Sequence, residues 1–404
     1  TGSANTSVGS DSMEANTTGS NNTAVGFIAL DANTTADNNT AVGYAALSAN
    51  TTGSLNVAVG SSALASNTTG DNNTVIGYGA GDALTEGSNN QAIGRDALGA
   101  DTLGSQSIAI GRLALGTQNF TTATNAYNVA VGSQAGYAIT TGQYNTLIGG
   151  LAGDAQTTAS NNTVVGYQAF SAAATGGNNV AVGYHALLNN TTGDTNVAVG
   201  KDSMSANTTG TNNTAVGARS LQANTTAANN VAVGDLALGS NTTGTGGVAV
   251  GTGAADAVTT ANYTTAIGYN AGTALGTADN NTLVGAGAGE NLVGANNTAL
   301  GFRALTSDGG AAGTYNVALG IDASRFMVNG TENVAIGRET LENNTAGSYN
   351  TAVGAKAADE ITTGNYNVAI GRSALRAVQT VDSNVAVGAS ALERYTGASN
   401  VAVG

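Results

Sequence analysis

The sequence predicts an all-β chain, a parallel β-solenoid or β-roll of about 24 stacked 17-residue repeats. Three observations carry this expectation. One glycine recurs from Gly9 to Gly404 in 24 copies, and 19 of the 23 intervals between copies are 17 residues. Each copy closes the same short unit, in which β-branched and small residues alternate. No proline occurs in 404 residues. A fixed short period along a whole chain means one small unit stacked many times. Proline cannot donate to a backbone ladder, so its absence suits a chain in which nearly every N–H serves a neighbour. The repeat overrides the length-based prior of two or three domains. Residues 1–404 read as a single repetitive shaft with no linker.

The strand is the first element of each repeat. With the recurring glycine at position zero, the preceding residue is Val, Ile or Leu in all 24 copies. Position −2 is Ala in 19, and position −4 is Asn in 21, the exceptions being Ser107, Gly247 and Thr264. Position −3 is usually Thr or Val. The unit reads Asn39-Thr40-Ala41-Val42-Gly43. Such alternation predicts a strand. A helix is excluded, because a glycine in every repeat weakens it and two helices with turns do not fit the period. Two short strands and two turns do fit, since a strand advances ~3.3 Å per residue.

The corners come next. After the glycine stand a mixed residue (Tyr44, Ser61, Arg95, Lys201), a polar or variable one, a small one, and then a large apolar one, often Leu. The remainder is commonly Asn-Thr-Thr-Gly, as at Asn50 to Gly53. Asn and Gly tolerate positive φ, which predicts a tight corner there. Extra residues fall in this stretch too, around Asn119 to Ala126 and Asp308 to Thr314, as corners allow and strands do not.

Positions +4 and +7 trade bulk. Leu30, Leu47, Leu64 and Leu187 precede Asn33, Asn50, Asn67 and Asn190; Gly81, Gly136 and Gly272 precede Leu84, Ile139 and Leu275. A close-packed interior holds its volume constant, so both sites are expected to fill one pocket per repeat. The expected structural ladders are Asn39, Asn56 and Asn73, with each amide bonded to its copy in the next rung, together with Val42 and Val59, Gly43 and Gly60, and Leu47 and Leu64.

On the strand, Val at −1 and Thr or Val at −3 face one way; Ala at −2 and Gly face the other. A wet face should be polar, and neither is. The expectation is that one face packs within the chain and that the Ala/Gly side meets another copy. A parallel homotrimer satisfies this, although the number three does not follow from the pattern.

The unit Asn333-Val334-Ala335-Ile336-Gly337, repeated at Asn367 to Gly371, resembles the head repeat of trimeric autotransporter adhesins of the YadA-like kind. The longer unit from Asn128 to Gly142 is similar to repeats in tail fibres of tailed bacteriophages. The resemblance covers the whole chain. Adhesin-head repeats are usually a few residues shorter, which favours the phage comparison. The resemblance implies a left-handed β-roll, an intertwined or side-by-side homotrimer with two further copies as partners, and host attachment from the virion tail. Bacterial surface glycans or proteins would be met through regions outside this chain. The alternative is a bacterial outer-surface adhesin head or an extracellular filament. No catalytic residue comes with the resemblance. Neither end carries a capping unit, so a segment of a longer fibre is expected. At one rung per repeat and ~4.8 Å per rung, its length would be roughly 110 Å.

Composition narrows the partners. Lys and Arg number 11 against 25 Asp and Glu, a net charge of −14, and no basic stripe occurs, so a nucleic-acid partner is not expected. No apolar run reaches membrane-span length. Without Cys there are no disulfides or thiolate metal sites, and no cofactor is expected. The only histidine, His185, sits at a variable position and reads as a solvated side chain. No nucleophile–base set or phosphate loop can be assembled, so a non-enzyme is expected. Scattered acids such as Asp96, Asp202, Asp235 and Glu339 lack a paired arrangement for sugar cleavage. Thr-Thr pairs lie in corners and are interrupted, which argues against an ice-binding array. Aromatics just after the glycine, including Tyr44, Tyr78, Tyr167 and Tyr184, read as rim packing or as a surface stripe for sugars.

Overall fold

The computed structural model describes residues 2–172, 174–307 and 313–404. It divides into two compact units, Thr1–Asp202 and Ser203–Gly404. Each is an all-β parallel solenoid. Among the described residues, the first holds twelve three-residue strands from Thr6–Val8 to Val197–Val199, and the second holds twelve from Thr214–Val216 to Val401–Val403. Among the described residues there is no helix. Successive strands pair in parallel without slippage: Thr40, Ala41 and Val42 stand opposite Val57, Ala58 and Val59. In the second unit Val231, Ala232 and Val233 stand opposite Val248, Ala249 and Val250.

Hydrogen bonds between turns continue beyond the strands. Thr23 N–H donates to Asn39 O at 2.8 Å, Leu47 N–H to Ala63 O at 3.0 Å, and Thr51 N–H to Thr68 O at 2.9 Å. This is where the missing prolines matter: most positions around a turn either donate to a neighbouring turn or accept from one.

The recurring glycine answers two demands at once. Gly43 has φ +138°, a region L-residues rarely enter, and a Cβ there would stand 2.4 Å from the Gly60 carbonyl oxygen. The same pair of conditions recurs along the row, with Gly234 at φ +132°.

Among the described residues the expected second strand is absent from every turn except the pair Gly104–Ser105 and Thr124–Asn125. Positions +2 and +4 both take left-handed backbone, as at Ala45 (φ 50°) and Leu47 (φ 53°), so the chain turns sharply where a strand would run straight. A third left-handed residue precedes the ladder Asn, as at Asn38 (φ 61°). The positive-φ corner expected at Asn50 to Gly53 is therefore misplaced by several residues; Asn50 and Gly53 do not adopt it. Seventeen residues close a circuit this small only by bending at several points, and that geometry displaced the sequence expectation.

The core also lies on the other side of the strand from the one expected. Ala41, Ala58, Ala92 and Ala232 are fully buried inside their own chain. Buried with them are the small residues at +3, such as Ala46, and the large ones at +4, such as Leu47. The side left partly open carries Thr or Val at −3 and Val or Ile at −1: Val42 and Val59 are half-buried, and Val25 and Ile76 are 37% and 39% exposed. A partner copy cannot reach the Ala side. The interior of so narrow a turn has room for Ala on the strand because Leu enters from the opposite wall.

The long interval in the first unit, between Gly111 and Gly132, holds an extra two-residue strand, Thr124–Asn125, which pairs in parallel with Gly104–Ser105 of the preceding turn and seats the added residues around Asn119 to Ala126. The other insertion, around Asp308 to Thr314, lies mostly outside the described residues.

Candidate functional site

The buried polar rows are built from asparagine. Asn39, Asn56 and Asn73 are fully buried. Asn39 Oδ1 accepts the backbone N–H of Asn56 at 2.9 Å, and Asn56 Oδ1 accepts that of Asn73 at 2.9 Å. The Asn39 Nδ2 donates to Gly53 O at 2.9 Å. The ladder thus ties side chain to backbone, where the sequence pattern suggested amide to amide. Direct amide contacts add to it in some turns, as from Asn333 Nδ2 to Asn316 Oδ1 at 3.2 Å.

A true amide ladder stands at position +7, where the sequence pattern suggested a corner. Asn50 Nδ2 donates to Asn33 Oδ1 at 3.2 Å, and Asn67 Nδ2 to Asn50 Oδ1 at 2.9 Å. Asn50 Nδ2 also donates to Gly53 O at 2.8 Å. The signal was present in the repetition of Asn at +7 with Gly three residues on. Each of these buried Nδ2 groups has an acceptor, which is what burial of such a group requires. At Ser107, where Asn at −4 is lost, a neighbour compensates: Gln118 Nε2 donates to Ser107 Oγ at 3.0 Å and to Asp101, while its Oε1 accepts from Asn128 at 2.8 Å.

Leu47 and Leu64 are fully buried, as are Leu84 and Ile139 from the exchanged form of the repeat. A Cβ on Gly81 would stand 3.2 Å from Leu84 Cδ1, and one on Gly136 would stand 3.2 Å from Ile139 Cδ1. Positions +4 and +7 therefore reach the same space. The first Thr of the corner is also occupied: Thr51 Oγ1 donates to Thr68 O at 3.0 Å and Thr68 Oγ1 to Thr85 O at 3.1 Å.

The aromatic residues after the glycine form exposed rows. Phe27 stacks on Tyr44 at 5.7 Å between ring centres, and Tyr167 on Tyr184 at 6.0 Å. Tyr78 is exposed between Ser61 and Arg95 of the adjoining turns. A second aromatic row, at position −5, was not anticipated from the sequence. There Tyr127 stacks on Tyr144 at 5.7 Å and Tyr349 on Tyr366 at 4.9 Å. Its sequence signal is a Tyr immediately before the ladder Asn.

His185 is half-buried rather than freely solvated. Its ring stacks on Tyr184 at 3.7 Å, Nε2 lies 3.1 Å from Gln168 Oε1, and Nδ1 lies 3.5 Å from Asp202. Asp96 and Asp235 are likewise paired, with Arg95 at 3.7 Å and Arg219 at 2.9 Å.

Charge concentrates in the second unit. Lys356 holds Glu339 at 2.7 Å, and this bond keeps the Glu339 carboxyl below the ordinary range. Arg376 stands between Asp359 at 3.5 Å and Glu393 at 3.8 Å. Burial pushes Asp359 up to about 6, with the Arg376 charge opposing. Among the described residues, no three His, Asp or Glu side chains converge as a metal site, and no helix is long and apolar enough to cross a membrane.

These rows define a β-solenoid protein whose chemistry repeats in register from turn to turn. No model of a known protein family matches the chain, and no curated protein matches it.

Proposed function

We propose that the chain is the structural shaft of a homotrimeric fibre, specifically a phage tail fibre that holds receptor-binding parts out to a host surface. The observation that carries this reading is the row of β-branched side chains at −3 and −1. Thr40 and Val42 stand over Val57 and Val59, and these over Thr74 and Ile76, all partly exposed. Half-exposed apolar rows gain by further burial, at roughly 25 cal/mol per Å² of apolar surface. A copy of the same chain presents the same residues at the same spacing, so a parallel partner meets every turn identically. The number three and the left hand follow the resemblance of the repeat to adhesin heads and phage fibres.

In this reading the protein's work is mechanical, not catalytic. Backbone bonding from turn to turn and buried amide ladders resist bending and leave few loops for proteases. Contacts with host glycans or proteins would be made largely by regions outside this chain.

Immunogold labelling with antibody raised against the chain tests the assignment. Gold along the tail fibres of purified particles supports it. Gold on a bacterial envelope transfers the shaft to a surface adhesin. Gold in the cytoplasm overturns both.

A further inference from the structure

Position +1 in three successive turns of the second unit is Tyr269, Ala286 and Phe302. The aromatic row is interrupted there, and a hollow of about 310 Å³ opens in the gap. Tyr269 is 63% exposed and Phe302 47%. Turns lie ~4.8 Å apart, so the two rings stand about two rungs, ~9.5 Å, from each other along the row. Where the row is continuous, its rings lie nearly parallel, Phe27 and Tyr44 within 17° and Tyr167 and Tyr184 within 11°. Beside Ala286 no ring covers the corresponding face of Tyr269.

The floor, Ala286 and Gly287, is small. A Cβ at Gly287 would stand 3.3 Å from Glu290 Oε2 and 3.5 Å from Arg303 Cγ. Both polar side chains thus lean over the spot that glycine leaves free. The Arg303 guanidinium lies 4.9 Å from the Phe302 ring centre, and Asn270 completes the wall. The hollow therefore joins an open aromatic face to a carboxylate acceptor, a guanidinium donor and an amide that is both.

We propose that this notch is a saccharide-binding site, taking one hexopyranose with its C–H face on Tyr269 and its hydroxyl edge toward Asn270, Glu290 and Arg303. A sugar ring has one apolar face and an edge of hydroxyls that each donate and accept, which is the pairing the notch offers. A nucleotide fits less well, because its phosphate would meet a chain of net charge −14. A simple cation would find Glu290 opposed by Arg303. The larger hollow of about 420 Å³ at Tyr315, Glu332 and Val334 includes the half-exposed strand face, the surface assigned above to a partner copy. The saccharide site does not depend on whether the shaft is viral or bacterial.

Saturation-transfer NMR on the whole chain tests the proposal, with methyl glycosides of glucose, galactose and mannose and with N-acetylglucosamine as probes. Transfer to the ring protons of at least one sugar is expected. Ala286→Tyr refills the row with a side chain that other turns carry, so it should melt like the parent while weakening binding at least tenfold. Tyr269→Ala should do the same, and Tyr44→Ala should leave binding unchanged. Absence of transfer from all four sugars, or transfer that survives Ala286→Tyr, overturns the proposal.

Discussion

Gly43 shows how tightly one residue can be specified. Its φ of +138° and the 2.4 Å approach to the Gly60 oxygen are separate obstacles to any side chain. Gly43→Ala should cost about 2–4 kcal/mol, read as a lower denaturant midpoint with local loss of amide protection. The periodic glycine was plain in the sequence, but its cause was not, because φ and close approach exist only once turns are stacked. The exchange of bulk between +4 and +7 was equally legible, and the structure adds a second reason for it. Position +4 is left-handed, which costs a residue such as Leu47 about 1–2 kcal/mol and a glycine almost nothing. Repeats with Gly81 or Gly136 at +4 avoid that strain and fill the pocket from +7. Gly81→Leu alone should therefore overpack, and Leu84→Asn alone should leave a void, each destabilising by about 1–4 kcal/mol. Combined, they recreate the commoner form of the repeat. A double-mutant cycle should show the pair costing clearly less than the two single changes together; simple additivity would refute the shared pocket.

At the scale of the single turn, alternation along the strand was readable but its direction was not. Val42 and Thr40 have the residue types of a core, and Ala41 those of a close interface, so the sequence pointed the Ala side at a partner. The structure reverses this: Ala41 is fully buried within its own chain, as are Leu47 and the ladder asparagines. The position −5 tyrosine rows are hard to see in the sequence for a related reason: their neighbours across turns are seventeen residues away. Charge rows in the second unit give this scale its own test. Asp359 has a folded pKa raised to about 6 from an ordinary 3.8, chiefly by burial. At pH 7 it is ionised in both states, and the buried anion penalises the folded one. As pH falls through 6 toward 3.8 the folded chain takes up its proton first, so stability rises. Asp82, Asp101, Asp154, Asp256 and Glu342 are also raised by burial and act in the same direction, while Glu339, lowered by Lys356, acts against them. The melting temperature should be higher at pH 5 than at pH 7. Asp359→Asn should raise it at pH 7 and shrink the difference; a fall on acidification would count against the burial of these acids.

For the whole molecule, both units repeat one design: Ala inward, β-branched residues outward, and amides in register. The solenoid class could be read from period and composition alone, since those describe what each turn does to the next. Assembly could not, because it depends on which strand face the chain leaves uncovered. Val25, Ile76, Val233 and Ile267 keep that face more than a third exposed, and its burial is what further copies would gain. Light scattering on the purified chain at micromolar concentration measures this most directly. A homotrimer predicts a particle of three times the chain's 39.1 kDa, and a stable particle of 39.1 kDa would contradict it.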